Sequence, residues 1–221
     1  MQLVSRKPSE APPTRMGALA KLPVFLDLTG KRAVVSGGSA AAAWKAELLA
    51  AAGARVEVFA EEIFPEMASL LERGAASGSL IHVKQPWSVG CFAHAVVALA
   101  DVETEAEARA FACAARSAGV PVNIIDKPAY CQFQFGSIVN RSPVVIGIST
   151  DGAAPILGQA IRRRIETLLP QSLAAWGKLA KSIREQVTAQ LPLGPQRRAF
   201  WERLAERAFG TAPSVRDASQ V

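Results

Sequence analysis

The chain has 221 residues, of which 50% are hydrophobic and 20% charged, with a formal net charge of +6. This length supports one good-sized domain, or one domain with a smaller appendage, and no apolar run approaches the roughly 20 residues that span a bilayer. The three cysteines have no CxxC spacing and the two histidines no metal-ligand spacing. We therefore expect no disulfide framework, no structural metal and a reducing, cytoplasmic environment.

The basic residues concentrate late in the chain, in IRRRIE (161–166) and PQRRAFWERLAERAF (195–209). Such clusters suit nucleic acid, a polyanionic small molecule or a solvated helix face. Charged residues are only 20% of the chain, and no nucleic-acid motif of interleaved aromatic residues accompanies them. We therefore expect neither a nucleic-acid nor a membrane partner.

Residues 1–21 are rich in Pro, Ser and charge and lack the apolar core of a signal peptide, so we expect a flexible leader. Short β-rich runs then alternate with helical stretches. In chain order the pattern predicts strand 32–37, helix 40–53, strand 55–60, helix 64–78, strands 80–84 and 93–100, helix 103–119 and strand 120–126. This βαβα order predicts an α/β fold with a Rossmann-like parallel sheet covered by helices.

The pattern changes after residue 131. Residues 132–150 contain two β-rich runs around an Asn-Arg-Ser-Pro turn, which predicts a hairpin-like pair. Helices are expected at about 154–169, 172–191 and 195–210. A hairpin with exposed apolar residues is marginally stable alone, so we expect it to be buried in a two-fold symmetric homodimer. The expected organisation is a leader (1–21), a Rossmann-like domain (22–131), a dimerisation region (132–169), a helical domain (170–210) and a disordered tail (211–221).

The first strand-to-helix turn reads Gly37-Gly38-Ser39. In a dinucleotide fold, glycines let the backbone approach the pyrophosphate, and the helix N-terminus supplies N–H groups and positive potential. Ser39 offers a hydroxyl donor. Glu61 or Glu62 follows about 20–25 residues after the turn, where a carboxylate binds the adenosine ribose and favours NAD over NADP. Glycine turns also join strands to helices without any ligand, so the turn alone leaves that interpretation open.

Three stretches together resemble one family. They are LPVFLDLTGKRAVVSGG, VNIIDKPAYCQFQFGSIVNRSPVVIGISTDGAAPILGQAIRRRIETLLP and RRAFWERL. The chain resembles the precorrin-2 dehydrogenase/sirohydrochlorin ferrochelatase module, the N-terminal half of bacterial siroheme synthase, over about residues 22 to 210. The resemblance implies NAD-dependent oxidation of precorrin-2 to sirohydrochlorin. In bifunctional members, insertion of Fe²⁺ as a second substrate then gives siroheme. It also implies a homodimer.

Together, the fold pattern and the resemblance indicate ten NAD contacts at the ends of the strands and in the first turn. They are Gly37, Gly38, Ser39, Ala40, Ala41, Ala60, Glu61, Ala100, Asp101 and Asn123. Ser39 stands where the family usually has a third glycine, and Trp44-Lys45 stands where it usually has Arg-Lys.

Asp126 ends the run VNIID, at the edge where open α/β sheets bind their ligands. A carboxylate there can take the proton that leaves the macrocycle during dehydrogenation. The resemblance matches Asp126 to the family's key aspartate, and it implies a transient contact with Fe²⁺ during chelation. The alternative is that Asp126 only caps the Lys127-Pro128 turn, a common task for aspartate.

The polycarboxylate substrate needs cationic and hydrogen-bonding partners, and arginine forks suit carboxylates best. The candidates are Arg141, Ser149, Thr150, Arg162 and Arg163. Successive helix positions cannot all face one ligand, so only part of the arginine run is expected to reach it. Asp151 puts a negative charge into this loop, which is unfavourable for a polyanion unless a cation meets it.

Three functions remain open at this level. The first is an NAD-dependent precorrin-2 dehydrogenase that also inserts Fe²⁺. The second is a homologue that lacks the chelatase step, or that binds tetrapyrrole or NAD without turnover. The third is an unrelated Rossmann oxidoreductase with another small-molecule substrate.

Overall fold

The computed structural model describes residues 17–214, which form two compact units. The first is Phe25–Phe135, and the second consists of the described residues before Phe25 and after Phe135. Most of the leader expected at 1–21 and of the tail expected at 211–221 lies outside the described residues. Within the described part, no helix is long and apolar enough to cross a membrane.

The first unit is a five-stranded parallel sheet with helices on both faces, which confirms the predicted fold class. The strand order is β3-β2-β1-β4-β5. The elements are β1 (Arg32–Ser36), α1 (Ala40–Ala51), β2 (Arg55–Phe59), α2 (Pro65–Arg73), β3 (Ser79–Val83), β4 (Ala95–Ala100), α3 (Glu105–Ser117) and β5 (Val122–Ile124). The order reverses at β1, between β2 and β4, which is where open α/β sheets place their ligands.

The central strand β1 is buried on both faces, as expected for a parallel sheet. Its side chains alternate between two cores: Val35 packs with the α1 side of the sheet, and Val34 packs with Phe111 and the α3 side. The alanines of α1 are small enough for that helix to lie close to the sheet. α3 begins with a capping box between Thr104 and Glu107, which satisfies two orphan N–H groups.

Most elements of this unit are shorter than the pattern predicts, and three of the differences have a visible cause. α2 ends at Arg73 because the chain turns back, with the Gly78 N–H donating to the Ala50 carbonyl at 2.8 Å. The strand expected from residue 93 begins at Ala95, after a 3₁₀ turn at Val89–Phe92. The last strand has only three residues, because the chain leaves the sheet in a turn that includes Asp126.

Arg32 and Glu57 form an ion pair between β1 and β2. The Arg32 Nε donates to Glu57 Oε1 at 2.9 Å, and Nη1 donates to the Ala93 carbonyl at 2.7 Å. The two side chains are only 15% and 16% exposed. The hydrogen bond from Arg32 holds the pKa of Glu57 below its ordinary value. The pair therefore joins the first residue of β1 to the middle of β2 in a partly dehydrated setting.

Replacing Glu57 with glutamine is expected to destabilise the protein by about 1–3 kcal/mol at neutral pH, because Arg32 loses its charged partner. The Glu57 pKa is lowered in the folded state, so the pair's contribution is complete above the ordinary glutamate pKa. It is lost as the pH falls through the lowered folded pKa. Denaturant unfolding of both proteins across this acid range measures the difference, which should shrink with falling pH. A pH-independent difference would contradict the ion-pair explanation.

The second unit combines an antiparallel hairpin with three helices. The strands are β6 (Ser137–Arg141) and β7 (Val144–Ile148), and the helices are α4 (Pro155–Leu168), α5 (Ser172–Gln190) and α6 (Pro195–Ala208). The predicted hairpin is confirmed. α4 packs against the hairpin and α5 packs against α6. In α5, the inward residues Trp176, Ile183 and Val187 follow helical spacing, and the Trp176 indole donates to the Thr211 carbonyl at 2.7 Å.

Candidate functional site

The glycine pair after β1 is enclosed by the chain's own backbone. Gly37 has φ of +107°, and a Cβ there would lie 2.9 Å from the Asp101 carbonyl oxygen. A Cβ on Gly38 would lie 2.4 Å from the carbonyl oxygen of Glu62 and 2.8 Å from the Ile63 Cα. Both glycines are therefore required by packing, whether or not a ligand binds.

Ser39 is the N-cap of α1, where it replaces a glycine of the family pattern. Its hydroxyl accepts a hydrogen bond from the Ala42 N–H at 3.1 Å and donates one to the Asp101 carboxylate. From the sequence, the Ser39 hydroxyl is expected to donate to the phosphate and Asp101 to be a separate cofactor contact. In the structure the two predicted contacts bind each other, so this hydroxyl is already in use.

The first turn of α1 fits an anion through its backbone. The helical hydrogen bonds begin with Ala43 N–H to the Ser39 carbonyl at 2.9 Å, and Ser39 caps Ala42. Ala40 and Ala41 are exposed, and N–H groups at these positions have no intrahelical acceptor. The alanine side chains are small enough for a pyrophosphate to approach these N–H groups, and the positive end of the 12-residue helix dipole attracts its negative charge.

The other predicted cofactor residues on β2 and β4 lie at the carboxyl ends of those strands. Ala60 and Ala100 are buried, with Ala60 N–H bonded to the Val83 carbonyl at 3.3 Å. Glu61 is exposed directly after β2. The small side chains of Ala60 and Ala100 leave space for a ligand at this edge of the sheet, and Glu61 lies where a ribose-binding carboxylate is expected.

Asp126 is exposed in the turn after β5, with φ of +58°. This left-handed conformation is uncommon for non-glycine residues, although aspartate and asparagine tolerate it best. The turn is closed by other groups: Lys127 N–H donates to the Ile124 carbonyl at 3.2 Å, and the Cys131 thiol donates to the Lys127 carbonyl at 3.4 Å. The Asp126 carboxylate therefore faces solvent at the carboxyl edge of the sheet.

The segment after this turn runs back along β5 and covers the free edge of that strand. Gln132 N–H donates to the Val122 carbonyl at 2.8 Å. The Asn123 side-chain amide donates to the Phe133 carbonyl at 2.8 Å, and Asn123 is only 7% exposed. Asn123 was predicted to contact the cofactor. The structure uses its N–H group to brace Phe133.

Lys45 is a residue of this edge to which sequence reasoning gave no role. Its ammonium nitrogen lies 4.4 Å from the centre of the Phe135 ring. Burial lowers the pKa of Lys45, and the negative charge of Asp126 opposes that shift. The one signal in the sequence was the Trp44-Lys45 pair at the family's Arg-Lys position.

The arginines predicted to bind substrate belong to the second unit, and two of them have partners there. Arg141 donates to the backbone carbonyls of Leu169 at 3.2 Å and Glu166 at 3.4 Å, so it caps the C-terminal end of α4. Arg162 pairs with Glu166 at 2.9 Å, one helical turn away. Arg163 is exposed. Of the three arginines, Arg163 is therefore the most accessible to a ligand.

The loop STDGAAP is closed by its own hydrogen bonds. The Ser149 hydroxyl accepts from the Asp151 N–H at 3.1 Å, and the Thr150 hydroxyl donates to the Ala154 carbonyl at 3.4 Å. The Asp151 carboxylate forms an ion pair with Lys21 at 2.8 Å. The negative charge of Asp151, which alone would repel a polyanionic substrate, is thus paired with a cation of the same unit.

Comparison with known proteins agrees with the nucleotide-binding features of the first unit. Residues 24–137, slightly more than half of the chain, match the family model described as "Putative NAD(P)-binding". The chain belongs to this NAD(P)-binding family. Residues 172–218 match a second model, described as the sirohaem synthase dimerisation region. Both matches confirm the resemblance drawn from the sequence motifs.

Curated relatives of this NAD(P)-binding family member are siroheme synthases. That of Pseudomonas aeruginosa (strain LESB58) is 38% identical over 198 residues, covering 87% of this chain and 42% of the relative. That of Nitrosospira multiformis is 35% identical over 188 residues, covering 85% and 40%. The chain therefore spans about two fifths of the length of these relatives.

A solved structure with the same fold is SirC, precorrin-2 dehydrogenase. It matches with a TM-score of 0.61 and 18% sequence identity, covering 90% of this chain and 96% of that one. At this identity the likeness establishes the fold. Among residues 17–214, no group of three or more His, Cys, Asp or Glu side chains could hold a metal ion.

Proposed function

We propose that this chain catalyses the NAD-dependent dehydrogenation of precorrin-2 to sirohydrochlorin. The observation that carries the proposal is the exposed Asp126 carboxylate at the carboxyl edge of a parallel sheet whose first turn suits a pyrophosphate. The relatives named siroheme synthase and the fold shared with a precorrin-2 dehydrogenase support this substrate class.

The backbone of the α1 N-terminus would hold the cofactor. The N–H groups of Ala40 and Ala41 suit the pyrophosphate, and Glu61 suits the adenosine ribose, which favours NAD over NADP. Gly37 and Gly38 have no side chains that would obstruct the pyrophosphate, and Ala60 and Ala100 are small, buried residues at the same edge of the sheet. When bound, NAD⁺ supplies the acceptor for a hydride.

Asp126 would accept the proton. Dehydrogenation removes two hydrogens from the macrocycle: one leaves with the electron pair of its C–H bond as a hydride, which bound NAD⁺ would accept, and the other leaves as a proton that a base must take up. A carboxylate within reach of that hydrogen is a suitable base. The exposed position of Asp126 leaves its oxygens accessible to a bound macrocycle.

The substrate's carboxylates would bind to cations and hydroxyl groups of the second unit. Arg163 is exposed, while Arg162 would share its guanidinium between Glu166 and the substrate. Ser149 and Thr150 remain candidates for hydrogen bonds. The ion pair of Asp151 with Lys21 supports this assignment, because it reduces the repulsion that a polyanion would meet there.

Fe²⁺ is the proposed second substrate, with Asp126 as its transient contact during insertion into sirohydrochlorin. The alternatives are a dehydrogenase that lacks this step and a homologue that binds NAD or tetrapyrrole without turnover. The hydrogen bonds of Arg141 to the C-terminal end of α4 favour these alternatives. They engage guanidinium donors that would otherwise bind the substrate's carboxylates.

We also propose that the chain acts as a homodimer in the cytoplasm, with domains at 22–131, 132–169 and 170–210. The match of residues 172–218 to a dimerisation region supports the dimer. Apolar side chains of the second unit are exposed, among them Ile138, Ile156 and Leu168. Burying them in a second copy would be favourable.

An anaerobic assay with precorrin-2 and NAD⁺, with and without Fe²⁺, tests the proposal by absorbance. We expect NADH to form only when both precorrin-2 and NAD⁺ are present, and a metallated product spectrum when Fe²⁺ is added. Sirohydrochlorin binding without NADH formation would favour the non-catalytic homologue. Failure to bind any tetrapyrrole would indicate an unrelated oxidoreductase.

A further inference from the structure

We propose that Cys131 is a positioning residue of this reaction, whose thiol holds the backbone turn that presents the Asp126 carboxylate. The proposal rests on the proposed dehydrogenation, in which Asp126 is the base. It gives a task to a free cysteine whose spacing in the sequence suits neither a disulfide nor a metal site.

Asp126 occupies the third position of a four-residue turn. The turn is closed by the Lys127 N–H, which donates to the Ile124 carbonyl at 3.2 Å. A positive φ at the third position alone is the type II pattern, in which glycine is the usual residue. Asp126 has φ of +58°, a conformation that is strained for a residue with a side chain and that persists where the surrounding contacts enforce it. The direction of the carboxylate therefore depends on what holds the two ends of this turn.

The Cys131 thiol binds both ends of the turn. Its single proton lies between two acceptors, the Ile124 carbonyl at 3.2 Å and the Lys127 carbonyl at 3.4 Å. The sulfur also accepts a hydrogen bond from the Ile124 N–H at 3.2 Å. Ile124 is only 1% exposed, so water has little access to that N–H group. One side chain thus fixes the first and last residues of the turn, on either side of Asp126.

The sulfur can act as a fixed point because its own backbone is held. A 3₁₀ turn at Pro128–Tyr130 brings the chain back to β5, and the Cys131 N–H donates to the Pro128 carbonyl at 3.1 Å. The next residue, Gln132, donates its N–H to the Val122 carbonyl at 2.8 Å. Cys131 is also partly buried against the α3 side of the sheet. Its thiol therefore has a set position relative to both the strand and the turn.

Gln132 provides a comparison within the same segment. Its side-chain carbonyl accepts the Val122 N–H at 3.3 Å, on the same free edge of β5. This hydrogen bond completes the strand edge, as the one from Ile124 to the sulfur does, but Val122 lies before the turn. Replacing Gln132 therefore removes a hydrogen bond of the same strand while the contacts of the Asp126 turn remain.

The kinetic test compares Cys131→Ala, Cys131→Ser and the control Gln132→Met in the precorrin-2 assay. We expect Cys131→Ala to lower kcat by roughly 10- to 100-fold, the range for a displaced catalytic group, and to change the KM for NAD⁺ by less than about twofold. Cys131→Ser keeps a donor and an acceptor on a shorter bond, so its kcat should fall only about 2- to 5-fold. Gln132→Met should keep the wild-type kcat.

Stability separates positioning from a purely structural role. Cys131→Ala and Gln132→Met each leave a buried N–H without its partner, so both should lower the melting temperature by roughly 2–8 °C. A wild-type kcat in Cys131→Ala, or an equal loss of kcat in Gln132→Met, would overturn the proposal. If Cys131→Ala does not fold, Cys131→Ser decides: a kcat equal to that of Gln132→Met would overturn the proposal.

Amide hydrogen exchange tests the turn without any turnover. We expect the Ile124 and Lys127 amides to exchange at least about tenfold faster in Cys131→Ala, because both lose the contacts that keep the turn closed. In Gln132→Met, only the Val122 amide of these three should exchange faster. Unchanged exchange at Ile124 and Lys127 in Cys131→Ala would overturn the role of the thiol. If the wild-type chain forms no NADH, the proposed function fails, while exchange still decides whether Cys131 holds the turn.

Discussion

Replacing Asp126 with asparagine is expected to lower the rate of NADH formation from precorrin-2 by roughly 10²- to 10⁴-fold, the usual contribution of a general base. Asparagine keeps the size of the side chain and its hydrogen-bonding ability but cannot accept the proton. The loss should therefore appear in kcat, while NAD⁺ binding, which depends on the first turn of α1, should remain within about twofold. Steady-state kinetics under anaerobic conditions measure both quantities.

Asparagine is also the substitution that the backbone tolerates. The φ of +58° at Asp126 lies in the left-handed region, which asparagine adopts at least as readily as aspartate. Alanine would add strain and confuse a folding defect with a catalytic one. The melting temperature of Asp126→Asn should therefore match that of the wild type.

The matched control is Glu72→Gln, which neutralises an exposed carboxylate on α2. We expect it to leave both rate and stability unchanged. If Asp126→Asn kept wild-type kcat, Asp126 would have no part in proton transfer. The alternative role in the Lys127-Pro128 turn would then be the better explanation.

Replacing Gly38 with alanine is expected to damage both folding and cofactor binding. The new Cβ would lie 2.4 Å from the Glu62 carbonyl oxygen and 2.8 Å from the Ile63 Cα. Both contacts are backbone atoms, so no flexible side chain can move aside. The Phe64 N–H also donates to the Gly38 carbonyl at 2.9 Å, which ties the loop to the turn.

We expect Gly38→Ala to destabilise the protein by about 1–3 kcal/mol, as overpacking does, and to lower the melting temperature by roughly 2–10 °C. Because the displaced loop carries Glu61, NAD⁺ affinity should fall as well. Thermal unfolding with and without NAD⁺ measures both effects, since a bound ligand raises the melting temperature.

The control is Gly90→Ala in the same unit. The nearest atom to a Cβ there is the Ser88 hydroxyl oxygen at 3.9 Å, an ordinary contact. Its effect should stay within about 0.5 kcal/mol, as for most surface substitutions. Equal stability of the two variants would show that the loop at Glu62–Ile63 moves freely, and the packing explanation of the glycine pair would be wrong.

The order and type of the elements followed from local patterns. Apolar spacing of two or three to four residues, with Gly and Pro at the ends, is present within each segment. It predicted the parallel sheet, the hairpin after residue 131 and the three later helices. The errors lay at element ends. The strand expected at 120–126 is shorter because Asp126 adopts a left-handed turn, which no apolar pattern encodes.

The partners of the candidate site residues depend on folding. Ser39 and Asp101 are 62 residues apart in the chain, and Arg141 and Leu169 are 28 apart. A hydroxyl or guanidinium in a sequence shows what it can bind, but several acceptors compete for it until the fold brings one close. The pair Arg162 and Glu166, one helical turn apart, could have been predicted from spacing, and so could the contacts of Ser149 and Thr150 within their own loop.

Local sequence was therefore sufficient for the sheet, its glycine turn and the placing of Asp126 at the carboxyl edge, because hydrophobic periodicity and turn residues act over a few positions. Contacts between distant segments decided the rest. They determine why Gly37 and Gly38 must be glycine, which groups Ser39, Asn123 and Arg141 bind, and that Lys45 lies against Phe135. Those contacts exist only when burial of the two cores brings the segments together, since no local preference selects among distant partners.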